Sequence, residues 1–254
     1  MIAFPEYQHQ ADLLFPPNVK SPFETNRFGH VDRNVMHKLL HNVQLERNWC
    51  SFSASWNNLP PDEFMADGGK YRSRRHCVFT VDADGIPKRS KHRPHYQSKK
   101  FNAVNGGIDR WFAPVEDTVA DGPIMQAILN INRGVFCADA CGTSSWHIEV
   151  HQMRVKAIGD KPGKPTPEGL HRDGVDYVFI MFVGSQNISG GVTTITDLKT
   201  KTLATFHMRE PLEALFLDDR VLKHSVSPVW AVGDTPKHSY RDALIVTWKR
   251  TEMR

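Results

Sequence analysis

His171 and Asp173 stand two residues apart in the stretch PEGLHRDGVDYV (167–178), between glycines and just ahead of an apolar run. On an extended backbone, residues two apart project to the same side, so both can grip one face of a metal ion while Arg172 points away. A third ligand must then arrive from another strand. His224 in LDDRVLKHSVSPV (217–229) fits, because it lies mid-strand after a tight Asp-Asp turn. Two imidazoles and one carboxylate on one face form the arrangement of non-haem Fe(II) oxygenases, which leaves coordination positions open for co-substrate and O2.

Such a site needs something to hold an anionic co-substrate. Arg241 opens the last apolar strand pattern and shares a face with Ala243 and Ile245. Its planar guanidinium can pair in bidentate fashion with a carboxylate, which a lysine cannot match geometrically. If Arg241 faces the interior, an anion is expected opposite it, because an unpaired buried cation is costly.

His-x-Asp taken alone is a weak signal in a chain with 13 histidines, and a capped turn accounts for it as simply. The order His-x-Asp, distant strand His, later strand Arg is much harder to assign to chance. A rival lies in HIEVH (147–151), which puts His147, Glu149 and His151 on one strand face. A single strand spreads three such ligands over about 13 Å, too far for one metal ion. His151 is therefore expected to line the pocket rather than to bind metal. Cys137 and Cys141 lack the second pair that a structural zinc would need.

These residues must be positioned by strands. From Ser145 onward the chain reads as strands separated by turns: WHIEVHQMRVKA alternates, VDYVFIMFVG is a buried run, and five shorter segments follow to DALIVTWK. This predicts a β-sandwich or barrel with helices packed outside. Upstream, the apolar spacing predicts one amphipathic helix over 31–49 and another over 117–132, with Pro123 near a helix start. The expectation is a single domain, 1–254, with a helical and mixed part to about residue 140 leading into a β core over 145–250. Trp146, Trp230 and Trp248 are expected in that core.

At 254 residues the chain can bury a large core, and 40% hydrophobic with 24% charged residues is ordinary for a globular protein. The net charge of +4 is mild. Basic residues cluster at 70–76 and 87–100. A solvated loop is the simple account of them, a nucleic-acid patch is a second, and an arginine turned toward a small anion is a third. No stretch suits a membrane span or a signal peptide, and the cysteines do not suggest a disulfide framework, so the expectation is a cytoplasmic protein.

Several segments together resemble the 2-oxoglutarate/Fe(II)-dependent dioxygenase family that includes bacterial L-isoleucine 4-hydroxylase. They are EGLHRDGVDYVFIMFV, SGGVTTITD, LDDRVLKHSVSPV and YRDALIVTWKR, joined more loosely by DEFMADGGKYRSRRHCVF and HYQSKKFNAVNGGIDRWFAPV. The resemblance implies a mainly β (α+β) chain with a double-stranded β-helix, or jelly-roll, core. It implies Fe(II) held by His171, Asp173 and His224, Arg241 on the distal carboxylate of 2-oxoglutarate, and O2 as oxidant. It further implies hydroxylation of a small, free, aliphatic L-amino acid, with no nucleic-acid or membrane partner; a homo-oligomer is compatible with the sequence. For the substrate carboxylate, Arg72, Arg74, Arg75 and Arg154 are candidates, and His151 is a further candidate for the pocket wall. The alternatives are a cupin-type metal-dependent isomerase or hydrolase that does not use 2-oxoglutarate, and a nucleic-acid-binding module using the basic 70–100 region.

Overall fold

The computed structural model describes residues 22–82, 85–136, 145–233 and 238–251. Cys137 and Cys141 lie outside the described residues, as does the N-terminal segment read for a signal peptide. Two sheets face each other. The larger contains β1 (Phe28–Val31), β2 (Arg72–Val81), β3 (Pro87–Arg89), β6 (Ser145–Lys156), β7 (Tyr177–Gln186), β11 (Ala214–Asp218) and β14 (Tyr240–Thr251), in the order β1-β11-β7-β14-β6-β2-β3. The smaller is β10 (Thr202–Phe206), β9 (Thr193–Asp197) and β12 (Leu222–Val226), extended by a backbone bridge from His171 to His224. Short pairs join β8 (Ile188–Gly190) to β13 (Val229–Ala231) and β4 (His95–Tyr96) to β5 (Asp109–Arg110).

From His171 onward the chain passes between the two sheets: bridge, β7, β9 and β10, β11, β12, β14. This winding is the double-stranded β-helix of a jelly roll. The inner faces enclose Val178, Ile180, Phe182, Ile195, Leu215 and Leu217, all buried. The outer face of the large sheet carries Ile148, Val150, Phe179, Val246 and Trp248, which pack against the helices in a second apolar cluster.

The helices are α1 (Pro22–Asn26), α2 (Arg33–Leu39), α3 (Leu45–Ala54), α4 (Asp117–Ala120) and α5 (Pro123–Phe136). The single helix expected over 31–49 is instead β1, α2, a 3-10 turn at His41–Val43 and α3. The chain breaks because Gln44 takes a left-handed conformation at φ 48°. The second helix likewise begins anew at Pro123, where the ring pre-sets the first turn. Trp56 locks this layer to the sheet: its indole N–H reaches the carbonyls of Met153 and Ala243 at 3.2 and 3.3 Å.

The basic stretch 70–76 is not a solvated loop. It enters β2, the strand beside β6, and Arg72, Arg74 and His76 are buried there. Trp146 and Trp248 are in the core as expected, whereas Trp230 is 48% exposed on the short strand β13. No helix among the described residues is long and apolar enough to cross a membrane.

Candidate active site

His171 and His224 are brought face to face by backbone pairing. Each donates its N–H to the other's carbonyl, at 3.0 and 2.9 Å, and their ring centroids lie 4.5 Å apart. Asp173, two residues on, turns back between them, with Oδ1 at 3.6 Å from His171 Nε2 and Oδ2 at 3.7 Å from His224 Nε2. One donor atom from each residue falls within 4.8 Å of the others. His171 Nδ1 sits 2.9 Å from the Gly169 carbonyl. A carbonyl only accepts, so Nδ1 carries a proton, and Nε2, once a metal displaces its own proton, would direct its lone pair at the shared point, the usual way a metal-binding histidine is oriented. The donor set and its spacing fit a divalent transition metal with open positions.

The charges follow from this crowding. Burial opposes a charged imidazole, but the Asp173 hydrogen bond and charge outweigh it and raise His171 to about 9. Burial and the neighbouring His171 lower His224 to about 4. Burial also opposes ionisation of Asp173, yet its two histidine partners hold it well below the usual carboxylate range. Asp173 is thus a fixed anion between two imidazoles.

The loop that carries Asp173 is held from below. The carboxylate of Asp219 accepts the backbone N–H groups of Asp173, Gly174 and Val175 at 2.9, 2.8 and 3.1 Å. Arg172 points away from the site, as the alternation requires, and donates Nε–H to the Asp219 carbonyl. Gln97 donates from the other side to the Asp173 carbonyl and Oδ1, at 3.0 and 3.3 Å. Gly174 has φ +81°, and a Cβ there would stand 2.4 Å from the Phe101 ring, so only glycine takes the chain from this loop into β7.

A cavity of about 440 Å³ opens from the triad along the inner face of the large sheet. Arg241 lies in its wall, 5% exposed, with Cζ 5.4 Å from the centre of the Phe182 ring. Its Nη2 is buried without a hydrogen-bond partner. The adjacent Asp242 is committed to Arg154 instead, at 2.7 Å to each oxygen. Burial lowers Arg241 to about 10, and Asp242 compensates only in part. A buried guanidinium with an open donor, aimed into a cavity, fits a carboxylate ligand.

The opposite wall gathers polar groups that the sequence showed only in part. Pairing of β2 with β6 sets Arg72 against Val155, Arg74 against Met153 and His76 against His151. Arg72 Nε is 2.6 Å from Asp62, while Arg74 Nη2 is 2.8 Å from His151 Nδ1. Glu149 is held by His95 Nδ1 at 2.6 Å and His147 Nε2 at 3.4 Å, with His76 and His151 each at 3.8 Å. His76, His95, Glu149 and His151 lie close enough to suggest a second metal position. The hydrogen bond from Arg74 argues otherwise. Arginine only donates, so His151 Nδ1 must accept and the neutral ring carries its proton on Nε2, toward Glu149. The cluster is a hydrogen-bonded cradle for a carboxylate.

Arg72, Arg74 and His151, all candidates from the sequence, line the cavity, as do His95, Arg110 and Glu149. Arg154 is not brought there. Its even-numbered place on β6 turns it to the far face, where it grips Asp242 and stacks on Tyr240 at 3.8 Å. Arg75 also points away from the cavity, to Glu116 and the Pro114 carbonyl. His95, Gln97 and Arg110 come from the segment between β3 and α4, whose two-residue strands β4 and β5 are too short for any periodicity to mark them; Asp219 was visible only as a turn.

Comparison with known proteins identifies the family. Residues 53–247 match the 2OG-Fe dioxygenase family. The chain is 27% identical over 242 residues to L-isoleucine-4-hydroxylase of Bacillus thuringiensis, covering 91% of this chain and 93% of that one. It is 25% identical over 200 residues to 3(1)-hydroxy-L-isoleucine 4-dioxygenase of Pantoea ananatis (strain AJ13355), covering 78% and 79%. Among solved structures, a bsmA homolog from Methylobium petroleophilum PM1 superposes with a TM-score of 0.79 at 31% identity, over 89% of this chain and 90% of that one. The chain belongs to the 2OG-Fe dioxygenase family and is a 2-oxoglutarate-dependent dioxygenase that works with Fe(II) and O2.

Proposed function

We propose that this enzyme hydroxylates an unactivated C–H bond of a small, free, aliphatic L-amino acid of the isoleucine, leucine or methionine kind. The observation that carries the reading is a single cavity with the His171–Asp173–His224 triad on one side and two further features in its walls. These are an unpaired buried arginine, Arg241, and a charged wall containing Arg72 and His151. The names of the two curated relatives support a free amino acid as substrate.

His171, Asp173 and His224 hold the iron, and Arg241 binds the distal carboxylate of 2-oxoglutarate. When bound, iron and 2-oxoglutarate supply the oxidising chemistry, in which one O2, one 2-oxoglutarate and one substrate C–H yield succinate, CO2 and the alcohol. The chain's own residues do the rest. Asp219 and Gln97 fix the Asp173 loop, so the ligands need no rearrangement. Arg241 sets the co-substrate's direction along the cavity. Met153, Val155 and Ile245 offer an apolar surface beside an aliphatic side chain.

Succinate release from Fe(II)-loaded enzyme with 2-oxoglutarate, measured with and without L-isoleucine, L-leucine and L-methionine, tests the reading. At least one amino acid is expected to raise turnover well above the uncoupled background and to gain one oxygen atom by mass spectrometry. No stimulation by any of them would overturn the substrate class.

A further inference from the structure

We infer that Glu149, together with Arg74 and Arg110, forms a receptor for the two charged ends of a free α-amino acid. Glu149 takes the α-ammonium group, and the two arginines take the α-carboxylate. The inference rests on the proposed amino-acid substrate and assigns its recognition to residues of this wall.

The arginines have few direct anionic partners, although Glu149 and Glu168 line the same cavity and act on Arg110 at longer range. Arg72, Arg74 and Arg110 are 4%, 5% and 1% exposed. Asp62 sits 2.6 Å from Arg72 and 3.7 Å from Arg74, and Arg110 donates at 3.5 Å to the Gln97 side-chain oxygen. Arg72 Nη2, Arg74 Nε and Arg110 Nε are buried with no hydrogen-bond partner. An unfilled N–H on a buried cation carries a large desolvation cost, which a carboxylate entering the cavity removes. The Phe112 ring lies under both Arg74 and Arg110, at 4.1 and 5.8 Å from their Cζ atoms, and holds the planar groups in fixed orientation. Fixed planar donors suit bidentate capture of a carboxylate.

Glu149 supplies the opposite charge. Its carboxylate lines the same cavity and is hydrogen-bonded by His95 and His147. Burial keeps His76, His95 and His151 in their neutral forms. The spacing between the charges is set by His151, which touches Arg74 with one nitrogen and faces Glu149 with the other. One imidazole bridges the two groups, and the ammonium and carboxylate of an α-amino acid, separated by a single carbon, span a similar gap. Anchoring both polar ends on this wall leaves the side chain as the part of the substrate free to reach the triad. Oxidation then falls on a side-chain carbon.

The test compares the best substrate among L-isoleucine, L-leucine and L-methionine with its N-acetyl derivative and its primary amide, in wild type, Glu149→Gln and Arg110→Met. Wild type is expected to favour the free amino acid over each blocked form by at least about tenfold in kcat/KM, the scale of one lost charge-assisted hydrogen bond. Glu149→Gln is expected to raise KM for the free amino acid at least about tenfold and to shrink discrimination against the N-acetyl form. Arg110→Met is expected to shrink discrimination against the amide. The KM for 2-oxoglutarate should stay within about twofold throughout, because Arg241 is untouched. General damage to the fold would lower all substrates alike and leave the ratios unchanged. Equal use of free and N-acetylated substrate by wild type would overturn the receptor even if neither variant folds, as would unchanged ratios in folded variants. Either result leaves the iron and 2-oxoglutarate reading intact; a wild type that consumes no 2-oxoglutarate overturns that reading and this one together.

Discussion

The carboxylate of Asp219 accepts the backbone N–H of Asp173 at 2.9 Å, and then those of the next two residues, so a buried acid on one loop sets the position of the proposed metal-binding acid on another. Burial and the Asp173 charge raise Asp219 to about 7, with the three N–H groups opposing them. Asp219 is thus a positioning residue for the metal loop. Asp219→Ala is expected to weaken Fe(II) binding about 10- to 100-fold although all three ligands remain. Anaerobic Fe(II) titration against a competing chelator reads this out, with circular dichroism as the check on folding. Unchanged affinity in a folded variant would contradict the role.

The proposed anion partner of Arg241 is 2-oxoglutarate, since among the described residues its buried Nη2 has no hydrogen-bond partner. Arg241→Ala is expected to raise the KM for 2-oxoglutarate by about two orders of magnitude, and Arg241→Lys to recover only part of the loss, because a point charge cannot make the paired contact. Arg241→Met, which replaces an incompletely paired buried cation by an apolar group, is expected to keep or raise the melting temperature while losing 2-oxoglutarate binding. A normal KM in Arg241→Ala would place the co-substrate elsewhere.

The histidines around Glu149 tie stability to pH. Burial lowers His76 to about 3 and also depresses His95 and His151. The unfolded chain therefore binds more protons than the folded one below the ordinary histidine value of about 6.5, and stability falls with falling pH. The contribution is complete above about 6.5 and declines by about 1.4 kcal/mol per pH unit for each such histidine as pH drops toward its folded value. Asp219, raised to about 7, opposes this trend over the same range, so chemical denaturation between pH 7 and pH 5 is expected to show stability falling by less than the summed histidine contributions, and His76→Asn to lessen that fall. A slope unchanged in that variant would contradict the account.

Gly174 joins the metal loop to β7 at φ +81°, with the Phe101 ring against it. Gly174→Ala must bear a left-handed backbone and displace that ring, at a cost of about 1–3 kcal/mol. The expected result is a lower melting temperature together with weaker iron binding. A fully stable variant with native affinity would show that the turn is not constrained as described.

The parts of the site that lie on regular strands were legible before the structure. His171, Asp173, His224 and Arg241 each fall on or beside an extended segment, where a period of two states which side chains share a face. The same rule placed Glu149 with His151, and applied to Arg154 it excludes that residue from their face, as the structure shows. The rest was hidden for physical reasons. The strand RSRRHCVFTV is rich in charge because it lines a polar cavity, so it does not show the apolar alternation that marks a strand. His95, Gln97 and Arg110 reach the wall from a segment whose conformation is set by tertiary contacts. The role of Asp219 depends on a loop distant in sequence that no local pattern connects to it. The break in the first long helix rests on one left-handed residue, Gln44, that carries no strong turn signal.

We propose that His171, Asp173 and His224 hold iron beside a 2-oxoglutarate anchored by Arg241. Anaerobic addition of Fe(II) and 2-oxoglutarate to the purified protein tests this most directly, because an iron-bound 2-oxo acid gives a visible charge-transfer absorption. That band is expected in the wild type, to be lost in Asp173→Ala and weakened in Arg241→Ala. A correctly folded wild-type protein that shows no band, or an Asp173→Ala variant that keeps it in full, would contradict the proposal.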